Sequence, residues 1–114
     1  MSDCIFCKII KGELPCTQVY EDEFCFAFRD IEPQMPVHIV VAAKKHLSSI
    51  LEFPQEDQAF LGGIQLAIAK IARQEGLTEN GFRVINNCGR DAKQTVPHLH
   101  YHILAGGPMG EKIV

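Results

Sequence analysis

His98, His100 and His102 alternate with the apolar residues Leu99, Tyr101 and Ile103 near the end of the chain. In an extended strand, alternate side chains share a face. The three imidazoles would then stand roughly 6.5–7 Å apart on one side, with the apolar partners entering the other. Three kinds of chemistry fit such a row. The histidines can be satisfied groups beside a core. They can form a transition-metal centre, since imidazole is the commonest metal ligand. They can also act at phosphorus, where a neutral imidazole nitrogen attacks and the phosphohistidine is labile enough for water to finish the reaction. Flanking imidazoles then bind phosphate oxygens and move protons near neutral pH.

The neighbourhood favours the third reading. His38 lies in a predicted strand that can pair with the histidine strand and bring a fourth imidazole. The segment 86–95 (Asn86-Asn87-Cys88-Gly89-Arg90-Asp91-Ala92-Lys93-Gln94-Thr95) leads into that strand. It is rich in amides, a hydroxyl and backbone donors, the groups that hold phosphate oxygens. Neither G-x-x-x-x-G-K nor G-x-G-x-x-G occurs, so it is not a P-loop. A second constellation is Cys4-x-x-Cys7, a spacing that lets two thiolates share one ion. A redox pair and two buried thiols are the alternatives. The first is disfavoured because no thioredoxin-like strand precedes the pair.

The elements that position these residues follow from pattern. Residues 4–10 suit a short helix. Residues 19–20 and 24–28 read as two strands joined at Glu21-Asp22-Glu23. The segment 30–36, with Pro33 and Pro36, is a loop. Residues 37–41 are β-branched and apolar, as in a strand buried on both faces. A long helix is expected from near Pro54 to a C-cap at Gly76, with Glu56 and Asp57 in its first turn. Phe60, Ile64, Ala67, Ile68 and Ile71 form its apolar stripe, while Leu61 and Leu66 widen that surface. Either the helix is deeply buried or it is shared with a partner subunit, and the width of the surface favours a two-fold dimer. Gly62-Gly63 would be costly inside it. Close packing explains them, as does a helix that starts after Gly63. Residues 82–85 and 99–104 complete the strands. Strands flanking one long helix without βαβ alternation give an α+β fold with an antiparallel sheet of about five strands and a short N-terminal helix.

The 114 residues suit one domain spanning 1–114, and 46% hydrophobic content with 22% charged residues is that of an ordinary globular protein. A net charge of −3 disfavours a broad grip on nucleic acid but not the binding of a single nucleotide. No apolar run approaches the ~20 residues of a membrane helix, so no membrane partner is expected. Five cysteines, an odd number, and no export signal point to reduced thiols and a cytoplasmic location.

The run His98-Leu99-His100-Tyr101-His102-Ile103-Leu104 resembles the signature of the histidine-triad (HIT) superfamily. Cys4-Ile5-Phe6-Cys7-Lys8-Ile9-Ile10, Phe28-Arg29-Asp30-Ile31, His38-Ile39-Val40-Val41 and Lys44-Lys45-His46 are similar to its histidine-triad nucleotide-binding (Hint) branch. The resemblance implies a HIT-like α+β homodimer whose two sheets join, and hydrolysis of purine nucleoside phosphoramidates with no cofactor needed for the chemistry. It implies His100 as nucleophile and His102 and His38 as phosphate contacts. Asn86 and Thr95, with Lys93 and Gln94 of the same loop, would lie at the phosphate. Asp30 would bind the ribose, and Phe6, Ile9, Phe28 and Ile31 would line the base pocket. Lys93 stands where many members of the branch have glycine, and the chain has no tryptophan. His102 fits the hydrolases, since the nucleotidyltransferase branch typically has glutamine there. Similar proteins with the cysteine pair complete a structural zinc site with the residues matching His46 and His98. Dinucleoside polyphosphate cleavage, or a nucleotide-binding scaffold with incidental hydrolysis, would use the same pocket.

Overall fold

The structure, a computed structural model, describes residues 3–113. Its elements run α1 (Ile5–Ile10), β1 (Gln18–Glu21), β2 (Cys25–Arg29), β3 (Val37–Ala43), α2 (Gln58–Gln74), β4 (Arg83–Ile85) and β5 (His100–Ala105), with short 3-10 turns at Ile50–Glu52 and Gln55–Asp57. The strands form one antiparallel sheet ordered β1-β2-β3-β5-β4. This is the α+β arrangement expected from the pattern.

Local chemistry explains the element ends. The β1–β2 turn closes on Asp22, whose carboxylate accepts from the N–H groups of Phe24 and Cys25 at 2.8 and 3.0 Å. The long helix starts later than expected. Glu56 and Asp57 lie in the preceding 3-10 turn, and Asp57 makes no capping bond because its carboxylate pairs with Lys45 at 2.8 Å. The helix stops as expected. Gly76 takes a φ of 72°, its N–H donates to the Arg73 carbonyl, and the N–H of Leu77 donates back to Ala72 at 2.9 Å. These are the two bonds of a Schellman motif.

The helix runs straight through Gly62-Gly63, so the later start at Gly63 is not what happens. A Cβ on Gly63 would lie 2.5 Å from the Phe24 ring, whereas Gly62 faces open space. The helix is not buried all round either. Ile64, Ala67, Ile68, Ile71 and Ala72 are buried, but Leu66 is 68% exposed.

Two apolar layers flank the sheet. On one side Cys25, Ala27, Ile39, Val41, Leu99, Tyr101 and Ile103 pack with the buried stripe of α2. On the other, Phe26, Phe28, Val40 and Ala42 pack with Phe6 and Ile9 of α1. β3 is therefore buried on both faces, and it extends to Ala43. Register places Ala42 opposite His100, Val40 opposite His102 and Leu104 opposite His38. Since directly opposed residues share a face, His38, His100 and His102 all sit on the α1 side. The strand begins at His100 rather than Leu99, which leaves His98 in the preceding turn. Among the described residues no helix is long and apolar enough to cross a membrane.

Candidate active site

His100 is buried, its ring edge-on to Phe6 at a centroid distance of 4.8 Å. Its Nδ1 lies 2.7 Å from the main-chain carbonyl of His98. A carbonyl only accepts, so this bond assigns the proton to Nδ1 and leaves a lone pair on Nε2. Burial lowers the pKa of His100, against the raising effect of that carbonyl, and so favours neutral imidazole.

His38 and His102 form a second assigned chain. The Gln34 N–H donates to His38 Nδ1 at 3.0 Å, so His38 carries its proton on Nε2. That Nε2–H donates to His102 Nδ1 at 2.8 Å. His102 must then carry its own proton on Nε2. Burial first, and then His100 and His38, push its pKa down to about 4. The result is an unprotonated nitrogen on His100 beside an N–H donor on His102, with ring centroids 5.2 Å apart. That is the pairing of a nucleophile with a donor to an oxyanion. Asp30 closes the chain. One carboxylate oxygen accepts from the Glu32 N–H at 2.8 Å and the other lies 3.4 Å from His38 Nε2.

The other predicted site residues fall in three groups. Phe6, Ile9 and Phe28 come together beside the histidines as one buried layer, but Ile31 does not join them and is 93% exposed. The loop before β5 is braced from within. The Gln94 amide donates to the Ser48 and Val96 carbonyls and its oxygen accepts from the Gly89 N–H at 3.0 Å. The Asn86 amide donates to the His100 carbonyl at 2.9 Å, which ties the start of β5 to the residue that follows β4. Lys93 adopts a φ of 63°. The backbone there takes the left-handed conformation that glycine would adopt freely, at some cost to a lysine. Thr95 is exposed and lines an open cavity with Asp3, Cys4, Ile5, His46, Val96 and Pro97.

Cys4, Cys7, His46 and His98 converge at the start of α1, their ligand atoms all within 4.8 Å of one another. His98 Nδ1 lies 3.2 Å from Cys4 Sγ, 3.7 Å from Cys7 Sγ and 3.1 Å from His46 Nδ1, and His46 Nδ1 lies 3.2 Å from Cys7 Sγ. Metal–sulfur bonds of about 2.3 Å and metal–nitrogen bonds of about 2.0–2.1 Å in a tetrahedron would separate such atoms by roughly 3.3–3.8 Å. The donor set therefore fits zinc with little adjustment. His98 is also oriented for it, because its Nε2–H donates to the Ala43 carbonyl at 2.6 Å and leaves Nδ1 free. Lys44 and Lys45 pin the segment that carries His46 through Glu21 at 2.6 Å and Asp57 at 2.8 Å.

The main-chain groups of Gln34, Ala43 and His98 were missed by motif reading. They set the imidazole tautomers, yet backbone groups have no residue type to betray them.

The HIT domain family model matches residues 11–109. The chain belongs to the HIT domain family. It is 52% identical over 104 residues to an uncharacterized HIT-like protein of Synechococcus elongatus, covering 91% of this chain and 90% of that one. It is 42% identical over 108 residues to the purine nucleoside phosphoramidase of Escherichia coli, covering 95% and 91%. Its structure aligns with a HIT family hydrolase from Clostridium thermocellum at a TM-score of 0.95 and 46% identity, covering 100% and 99%. In that broad sense the chain is a HIT-family hydrolase. The Cys4–Cys7 pair lies before the residues the family model matches.

Proposed function

We propose that the chain hydrolyses purine nucleoside phosphoramidates, with His100 Nε2 attacking phosphorus. The observation that carries the reading is the bond from His100 Nδ1 to the His98 carbonyl, which leaves Nε2 as the attacking lone pair. A solvent proton reaches the amine nitrogen as the phosphorus–nitrogen bond breaks, the amine leaves and the nucleotidyl group passes to Nε2. The imidazolium so formed keeps its Nδ1–H on the carbonyl. Water then attacks phosphorus, the nucleoside monophosphate departs, and His100 returns to the neutral form as a proton passes to solvent. Throughout, His102 Nε2–H is a donor to a phosphate oxygen.

With a pKa of about 4, His102 is neutral at pH 7 and supplies no proton to a leaving group. An amine nitrogen needs such a proton, which comes from solvent, and a phosphoanhydride oxygen leaves without one, so His102 does not choose between them. The similarity to the E. coli phosphoramidase supports the amine. Asp30 would bind the ribose, Thr95 and the N–H groups of its loop the phosphate, and the layer of Phe6, Ile9 and Phe28 the base. The deciding experiment compares kcat/KM for adenosine 5′-phosphoramidate and a diadenosine polyphosphate. A preference for the polyphosphate would overturn this reading, and binding of both with no turnover would favour a scaffold.

Two further parts belong to the proposal. Cys4, Cys7, His46 and His98 hold a structural zinc, which would tie α1 and the turn before β5 to the sheet. The active form is a homodimer. β4 is an edge strand of the sheet with Val84 exposed, and Leu66 and Gly62 stand open on α2. An uncovered edge and an apolar helix face are what a second copy would bury.

A further inference from the structure

A structural metal site is usually closed, but two of these four donors are not sealed in. An open cavity of about 440 Å³ reaches Cys4 and His46. Both Cys4 and Cys7 are only partly buried, and their sulfurs lie within 4.8 Å of each other. Cys25 shows the contrast. It is fully enclosed and out of reach of an oxidant, the condition of an inert cysteine.

The same cluster reaches the reacting nitrogen through one residue. The His98 ring presents Nδ1 to the two sulfurs and to His46. The His98 carbonyl receives the Nδ1–H of His100. Whatever holds the His98 ring therefore also holds the acceptor that assigns the tautomer of His100.

We propose that Cys4 and Cys7 form an oxidation site at which a hydroperoxide closes a disulfide, expels the bound zinc and loosens the support of His100. This rests on the zinc reading above. The chemistry balances without another reactant. The Cys4 thiolate attacks the peroxide O–O bond, becomes a sulfenic acid and, with a proton, releases water from hydrogen peroxide or the alcohol from an organic hydroperoxide. The Cys7 thiolate then attacks that sulfur, forming the S–S bond and releasing hydroxide, which a second proton converts to water. Two thiolates are oxidised by two electrons in all, and the peroxide is reduced by the same two. The ligand set falls to His46 and His98, too few to retain the ion, which leaves as a hydrated divalent cation of unchanged oxidation state. A thiol reductant and zinc reverse the change.

The test begins with the zinc content of tag-free protein purified without added metal. Hydrogen peroxide is then titrated in while zinc release is followed with a chelating dye, Cys4 and Cys7 are assayed by mass spectrometry, and the melting temperature is recorded. The expected result is zinc release in step with loss of two hydrogens from the peptide that carries both cysteines, and a lowered melting temperature. Reductant plus zinc restores the starting state, and the Cys16→Ser/Cys88→Ser variant behaves the same way. A chain that holds zinc but keeps it while its thiols oxidise, or that releases it only when Cys16 or Cys88 is present, overturns this proposal alone. A chain that holds no zinc and takes none up overturns the zinc reading and this proposal together.

Discussion

The main-chain N–H of Gln34 donates to Nδ1 of His38 at 3.0 Å, and through that bond a loop residue decides which histidine nitrogen faces the active site. The opposite assignment holds at His98, whose Nε2–H donates to the Ala43 carbonyl and whose Nδ1 is left bare. The two bonds divide the imidazoles into different chemistries. Asp30, His38 and His102 also bring ligand atoms within 4.8 Å of one another. There, however, the Gln34 N–H holds the His38 proton on Nε2, the nitrogen that would have to bind the metal. The cluster at His98 has no such obstacle.

If the Gln34 N–H sets the donor chain, Gln34→Pro should lower kcat by about ten- to hundredfold, because His38 and His102 lose their fixed tautomers. Gln34→Ala keeps the N–H and should be close to wild type. Steady-state kinetics on adenosine 5′-phosphoramidate check both. Equal activity in the two variants would remove the role assigned to this bond.

His100→Ala should lower kcat by several orders of magnitude while nucleotide binding, followed by calorimetry, changes little. Removing a nucleophile leaves only binding and electrostatic contributions. Rapid acid or base quench of the wild type should also catch the nucleotidyl group on His100. A variant that keeps a tenth of the activity would contradict the assignment.

Acid should weaken the fold through His102. Its folded pKa of about 4 lies below the ordinary 6.5. Between those values the unfolded chain binds a proton that the folded chain refuses. Stability contributed by this group is therefore full above pH 6.5, is lost as pH falls through the window, and levels off below pH 4. Its size is on the order of 3 kcal/mol. Urea denaturation of wild type and His102→Gln, compared at pH 4.5 and 7, isolates the effect from other titrating groups. Identical pH profiles would show that His102 is not the cause.

The alternation from His98 to Ile103 was enough to place the histidine strand and the face it shares with Val40 and Ala42, because strand geometry forces that division. The sequence allowed the His38 strand to lie beside it, and the β3–β5 register is what puts His38 on the same face. Other features were out of reach. Asp57 sits where a helix cap would be expected, yet Lys45, distant in sequence, claims its carboxylate. Ile31 is apolar and beside Asp30, and nothing local reveals that the loop holds it in solvent. Lys93 is the reverse case. Its departure from glycine was readable, but only coordinates show that the backbone still takes the φ of 63°.

Gly62 and Gly63 are neighbours with opposite expectations. Gly63→Ala would place a Cβ 2.5 Å from the ring of Phe24, which also packs edge-on against Phe60. That ring would have to move, and overpacking of this kind costs about 1–3 kcal/mol, more than the helix gains from losing a glycine. Gly62→Ala meets nothing within 4 Å in a single chain. In a monomer it should simply stabilise α2, by up to about 1 kcal/mol. In the proposed dimer the same methyl would enter the interface beside Leu66. The expected outcome is therefore a loss of association, seen by sedimentation at micromolar concentration, with secondary structure unchanged by circular dichroism. Leu66→Glu should do the same by placing a charge on that face. Wild type that sediments at the 12.7 kDa of one chain, with Gly62→Ala merely more stable, would exclude the dimer and leave α2 with an open apolar face.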